Sequence, residues 1–276
     1  MVMSVNTNVG AMIALQNLNA TNAQLATTQN RINTGKSVAN AKDNGAIWAI
    51  AQGQRAEIGA LSAVKQSLDR GVAAVDVALA AGETVSDLLL QMKEKALAAT
   101  DASLLTAARA ALNEDFVSLR EQIASVTANA EFNGINLLKT GATGFEALAN
   151  AQGTSTLTVD AEVMALGGTI VSVGAAQTIS TQAAAAAAHT AVSNSIDAVS
   201  GALARLGTMS KALSTHTTFV GKLTDALEAG VGNLVDADLA KESAKLQALQ
   251  TKQQLGVQAL GIANQTPQLV LSLFRS

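Results

Sequence analysis

The run QQLGVQALGIANQTPQLVLSLF, from Gln253 to Phe274, contains no charged side chain, yet it is too rich in Gln, Asn and Thr to face lipid. It is also periodic. Leu239, Leu246, Leu249, Leu260, Ala263, Val270 and Phe274 follow the three-four spacing of one helical stripe. The opposite end of the chain shares both properties. From Met1 to Asn30 no side chain is charged, and Ala11, Leu18, Leu25, Ile32 and Ala39 recur every seven residues. A solvated surface helix normally carries charge on its outer face. Two helices with a thin apolar stripe and a neutral polar remainder are therefore expected to meet other protein on most sides, and copies of the same chain are the simplest candidates. Disorder is the competing reading, but its usual signature combines high charge with no apolar period. Pro267 lacks a backbone donor and is expected to kink or locally break the last helix.

Inward from these ends, three stretches carry the same stripe with ordinary charge. They are Ile58, Leu61, Val64, Leu68, Val72, Val75 and Leu79; then Leu105, Ala108, Leu112, Leu119, Ile123 and Val126; then Ile196, Val199, Leu203, Leu206, Leu213, Val220, Leu223 and Leu227. Each reads as an amphipathic helix, and three such faces close a bundle. Asp101 and Ser103 are placed to begin or cap the second of them. Residues 140–181 differ. They are rich in Gly, Thr and Val, and the alternation over Ser155–Val159 indicates short strands. The expected fold is mainly α: a long antiparallel helical hairpin or bundle with paired terminal helices and a small β insert. The expected divisions are 1–44 with 236–276, 45–139 with 182–235, and an exposed insert over 140–181.

Composition narrows the function. Apolar residues make up 49% of the 276, but aromatics only 2%, which disfavours a small-molecule pocket. The net charge of −3 comes without a Lys/Arg cluster, so no nucleic-acid partner is expected. No Cys is present, which removes disulfides and thiolate chemistry. No apolar run reaches the roughly 18 residues that span a bilayer, and no cationic-then-apolar leader opens the chain, so neither membrane insertion nor a cleaved signal peptide is expected. His189 and His216 lack metal-ligand spacing, and no P-loop, dinucleotide or nucleophile-elbow motif occurs. Asp236, Asp238 and Glu242 form an acidic group that reads better as a helix cap than as a metal cluster. No catalytic residue, cofactor or metal site is expected.

Several separate motifs, in order, resemble the bacterial flagellin family. They include Ser4-Val5-Asn6-Thr7-Asn8, Leu15-Gln16-Asn17-Leu18, Arg31-Ile32-Asn33-Thr34-Gly35, Ala41-Lys42-Asp43-Asn44 and Phe132-Asn133-Gly134. Toward the other end come Asp236-Ala237-Asp238-Leu239-Ala240-Lys241-Glu242, Ala263-Asn264-Gln265 and Leu271-Ser272-Leu273-Phe274-Arg275. The forms around Ser37–Asn40 and Gly45–Trp48 are similar to alphaproteobacterial members with a short variable region.

The resemblance implies an extracellular structural subunit that polymerises into a helical filament for motility and is exported through the flagellum's own type III apparatus. It also implies a cap protein, a hook-associated junction protein and an export chaperone as partners. Leu18, Leu25, Ile32, Leu239, Leu246, Leu249, Leu260 and Phe274 are the expected contacts of the filament core. A junction protein or a surface adhesin of the same fold is the alternative. Family members seen by the vertebrate Toll-like flagellin receptor carry a key Arg where this chain has Gln91, followed by Met92, Lys93 and Glu94. Gln makes neither the charged nor the bidentate contacts of Arg, so weak recognition is expected.

Overall fold

The structure, a computed structural model, describes residues 7–273. Five helices and one two-stranded sheet are present among them: α1 (Val9–Thr34), α2 (Gly45–Ala99), α3 (Thr106–Asn129), β1 (Phe145–Leu148), β2 (Thr156–Val159), α4 (Gln182–Val235) and α5 (Leu239–Leu273). The chain divides into two compact units, Met1–Ala56 with Ala226–Ser276, and Glu57–Asp225. The architecture is mainly helical, with long helices packed in pairs and a small β element, as the periodicities require.

In the first unit the boundaries are written in capping chemistry. Asn8 accepts from the Ala11 amide at 3.0 Å to open α1, and Gly35 ends it in the left-handed conformation at φ 69°, which a Cβ would oppose. Asp238 accepts from the Lys241 amide at 3.0 Å to open α5. Ala39, at the end of the seven-residue repeat, lies beyond α1 because Gly35 has already stopped the helix. Pro267 does not end α5, which continues to Leu273.

The second unit holds the main core. Leu68, Leu89 and Met92 of α2, Phe116 and Ile123 of α3, and Leu206 and Leu213 of α4 are all buried. The α2 stripe does not stop at Leu79. Val85, Leu88, Leu89, Met92, Ala96 and Ala99 extend it at the same spacing. Helices α2 and α4 approach closely at Gly82, where a Cβ would stand 2.7 Å from Leu203 Cδ2 and 3.2 Å from Met164 Cε. Leu105 departs from its expected place. It is the residue before α3, 77% exposed, and caps nothing with its side chain. Asp101 instead folds the preceding turn by accepting from the Ser103 amide and hydroxyl, both at 2.8 Å. Arg109 reaches back to donate to the carbonyls of Ala99 and Asp101 and so closes the end of α2.

The β insert pairs β1 with β2 antiparallel, with Phe145 opposite Val159 and Leu148 opposite Thr156. At its base, Gly144 admits no side chain, because a Cβ would collide with the Val159 carbonyl oxygen. The hairpin is fastened to helices at two points. Ser67 accepts from the Leu148 amide at 3.2 Å, and His216 Nε2 lies 2.8 Å from the Ala149 carbonyl, donating to it. The irregular stretch that follows is also held down. Met164, Val171, Val173 and Ile179 are buried, and Glu162 accepts a two-pronged bond from Arg205 at 2.6 Å on each side.

Candidate functional site: the terminal helix pair

Helices α1 and α5 run antiparallel, and their seam is thin. Every seventh residue from Leu18, namely Leu25 and Ile32, is half-buried, while Thr21 and Thr28 fill the alternate seam positions and are fully covered. On α5, Leu249 is buried, and Leu246 and Leu260 are half-buried. Gly256 lets Leu18 lie directly on the α5 backbone, since a Cβ there would stand 3.3 Å from Leu18 Cδ1. Leu239 does not join this seam. It sits at the first position of α5 and is half-exposed. Phe274 lies outside the described residues.

Polar contacts set the register of the pair. Asn8 donates to the Ala263 carbonyl at 2.8 Å, Gln253 donates to Asn22 at 2.7 Å, and Arg31 meets Glu242 at 3.2 Å. At the base, the Ala237 amide donates to the Gly35 carbonyl at 2.9 Å and the Ser37 amide to Val235 at 2.7 Å. Arg31 stands in the last turn of α1 and Glu242 in the first turn of α5, so each also offsets its own helix dipole. Their contact is one-pronged. Arg31 Nε and Glu242 Oε2 are buried without a partner, and so is Thr28 Oγ1.

Replacing Glu242 with Ala strands a guanidinium that is only 32% exposed. We expect that change to weaken the pair by about 2 kcal/mol. A lowered melting temperature of assembled material would report it, and an unchanged one would show that the ion pair contributes nothing.

The outer faces of the two helices carry exposed apolar side chains among neutral polar ones. Val9, Met12, Ile13 and Leu15 project from α1, and Leu255, Val257 and Ile262 from α5, with Met12 62% and Ile262 66% exposed. These residues lie in the uncharged stretches 9–30 and 253–273, which makes a surface suited to burial against further protein.

The remaining site residues lie on α2. Gln91 and Glu94 are exposed, Lys93 is half-buried, and Met92 between them is in the core. Two of the three acidic residues have structural roles: Asp238 caps α5 and Glu242 binds Arg31. No group of three His, Cys, Asp or Glu side chains among the described residues could hold a metal ion. No helix there is long and apolar enough to cross a membrane. Leucine spacing alone missed Thr21, Thr28 and Gly256. Their signal is positional, because Thr21 and Thr28 fall three residues after Leu18 and Leu25, on the same face.

Comparison with known proteins bears on this pair directly. Residues 5–143 match the bacterial flagellin N-terminal helical region, and residues 189–274 match the bacterial flagellin C-terminal helical region. The chain is 57% identical to the flagellin FljM of Caulobacter vibrioides, over 99% of this chain and 98% of that one. It is 37% identical to a flagellin of Brucella melitensis, over 99% of both. Among solved structures, a putative flagellar hook-associated protein from Vibrio parahaemolyticus shares the fold with a TM-score of 0.56 at 16% identity, covering 70% of this chain and all of that one.

Proposed function

The chain belongs to the bacterial flagellin family and is thus a structural subunit of the extracellular flagellar filament, and from that premise we propose that α1 and α5 are its assembly element. The observation that carries this is the exposure of Met12, Ile13, Leu255, Val257 and Ile262 among neutral polar side chains, with no charge between residues 9 and 30 or between 253 and 273. Repeating one interface without closing a ring generates a helical polymer. A charged helix stacked many times around a narrow axis would crowd like charges and bury unpaired ones, at large cost. Asn, Gln and Thr avoid both penalties, since they satisfy one another or line a wet channel.

The proposed layout follows. Residues 1–44 with 236–276 form the inner shell, 45–139 with 182–235 the next, and 140–181 the outward face. The seam between α1 and α5 buries little by itself, and an isolated helix of this kind is marginal in water because nucleation is costly. The pair therefore orders fully only when neighbours cover it. A cytoplasmic chaperone would hold α5 before export, and a cap and a hook-associated junction protein would meet the pair at the two ends of the polymer.

Placing a carboxylate on this exposed stretch tests the reading. Ile262→Asp should stop elongation of filament seeds while leaving the helical content of Glu57–Asp225 intact. Normal elongation by that variant would remove the outer face of α5 from the interface.

Gln91 bears on a second property, recognition by the vertebrate flagellin receptor. It occupies an exposed α2 position where receptor-active members carry Arg. We expect a weak response in reporter cells, and Gln91→Arg should raise it. A strong response from the unaltered chain would contradict this.

A further inference from the structure

The sequence contains two Asn-Gly pairs, Asn44-Gly45 and Asn133-Gly134, and the structure treats them differently. An Asn side chain followed by Gly is chemically labile. The Gly backbone nitrogen attacks the Asn side-chain carbon Cγ, because no Cβ on the following residue blocks the approach. The C–N bond to the side-chain amide breaks, ammonia leaves, and a five-membered succinimide remains. Water then opens that ring at either carbonyl to give aspartate or its isomer linked through the side chain. No oxidant or other reagent is needed. What the fold controls is whether the side chain is free and whether the Asn–Gly peptide plane can rotate into line.

At Asn44 both are restrained. Its side-chain oxygen accepts from the Ile47 amide at 3.1 Å, and its backbone carbonyl accepts from the Trp48 amide at 3.0 Å. Asn44 is thus the N-cap of α2, and ring closure would require unwinding the first turn of a 55-residue helix. Asn133 sits in an exposed two-residue turn with φ 49°, followed by Gly134 at φ 84°. The turn is closed on its outer side only, by reciprocal bonds at 2.9 Å between Phe132 and Ile135. Neither bond touches the Asn133 carbonyl or the Gly134 nitrogen. The space where a Cβ would stand is open at both Gly45 and Gly134, so the two sites differ in their hydrogen bonds and not in crowding.

We propose that Asn133 is a spontaneous deamidation site of the folded protein and that Asn44 is protected by its role as a helix cap. The product would matter locally. A new carboxylate would stand two residues from Glu131, which lies 4.0 Å from Lys139. The isomerised form inserts an extra backbone carbon and breaks the Phe132–Ile135 pairing. That turn leads directly into Asn136, whose buried amide donates to the carbonyls of Thr127 and Ala128 and accepts from the amides of Leu138 and Lys139. Conversion at Asn133 would therefore loosen the junction between α3 and the insert.

The experiment ages the purified full-length chain at mildly alkaline pH, folded and in denaturant, and follows both sites by peptide mass mapping with an isoaspartate-specific assay. In denaturant the two sites should react at similar rates, since both are Asn-Gly. In the folded chain Asn133 should react faster than Asn44 by roughly a factor of five to ten, the scale set by a capping interaction. Asn133→Gln should abolish the modification at that site without changing the fold. Equal folded-state rates at the two sites, or faster reaction at Asn44, would overturn the proposal. So would an Asn133 that stays intact while Asn44 converts in denaturant.

Discussion

A chain ending at Lys252 will elongate no filament seeds. The truncation removes Gln253, Gly256 and Ala263, which face Asn22, Leu18 and Asn8 across the seam, together with the half-buried Leu260. It also removes the exposed apolar residues Leu255, Val257 and Ile262. Helix α1 then has no partner over its first half, and a lone helix with a Thr-filled stripe does not hold itself in water. The core of Glu57–Asp225 shares none of these residues. The helical signal and denaturation midpoint of that unit should therefore persist while polymerisation is lost. Electron microscopy of seeded reactions distinguishes the outcomes. Monomers with bare seeds are expected, and long filaments from the truncated chain would show that α5 is dispensable.

Phe116→Ala will have the largest effect on the stability of the subunit. Phe116 is one of five Phe in the chain and is completely buried on α3, on the same face as Leu119, Ile123 and Thr127. Truncating a fully buried aromatic ring costs about 3–5 kcal/mol, through lost burial plus the cavity left behind. Against a typical total stability of roughly 5–15 kcal/mol, that loss brings the unit close to unfolding. A urea titration of the monomer should show the midpoint fall sharply with little change in slope. A shift of a few tenths of a kilocalorie would mean that neighbouring side chains collapse into the gap.

The two predictions illustrate how much of this molecule its sequence makes legible. Helix identity is readable because the stripes are long and local, and the pairing of the two ends because both share the same uncharged composition, although the contacts that make it lie more than 200 residues apart in sequence. The inner positions of the terminal pair were readable as far as leucine spacing goes. Leu249, Leu246 and Leu260 do face inward. Leu239 does not, because the helix starts at that residue and its first turn is held by Asp238 and Glu242.

On α3 the stripe read from the sequence holds at Leu119 and Ile123, which are buried, and at Leu112 and Val126, which are half-buried, but its first members Leu105 and Ala108 are exposed. Phe116 and Thr127 complete the covered face. Periodicity alone does not say where along the helix the cover begins, since that belongs to the elements packed on the other side. The insert shows the same limit. Its strands follow from alternation, but the tie between Glu162 and Arg205 joins residues 43 apart and has no local signal.

The central claim is that α1 and α5 become fully ordered only through contact with neighbouring subunits. Amide hydrogen exchange over residues 9–30 and 253–273, compared between monomer and filament, tests it most directly. Near-unprotected exchange in the monomer and strong protection in the filament are expected, with Glu57–Asp225 protected in both. Equal protection of the two terminal helices in both states would contradict the account.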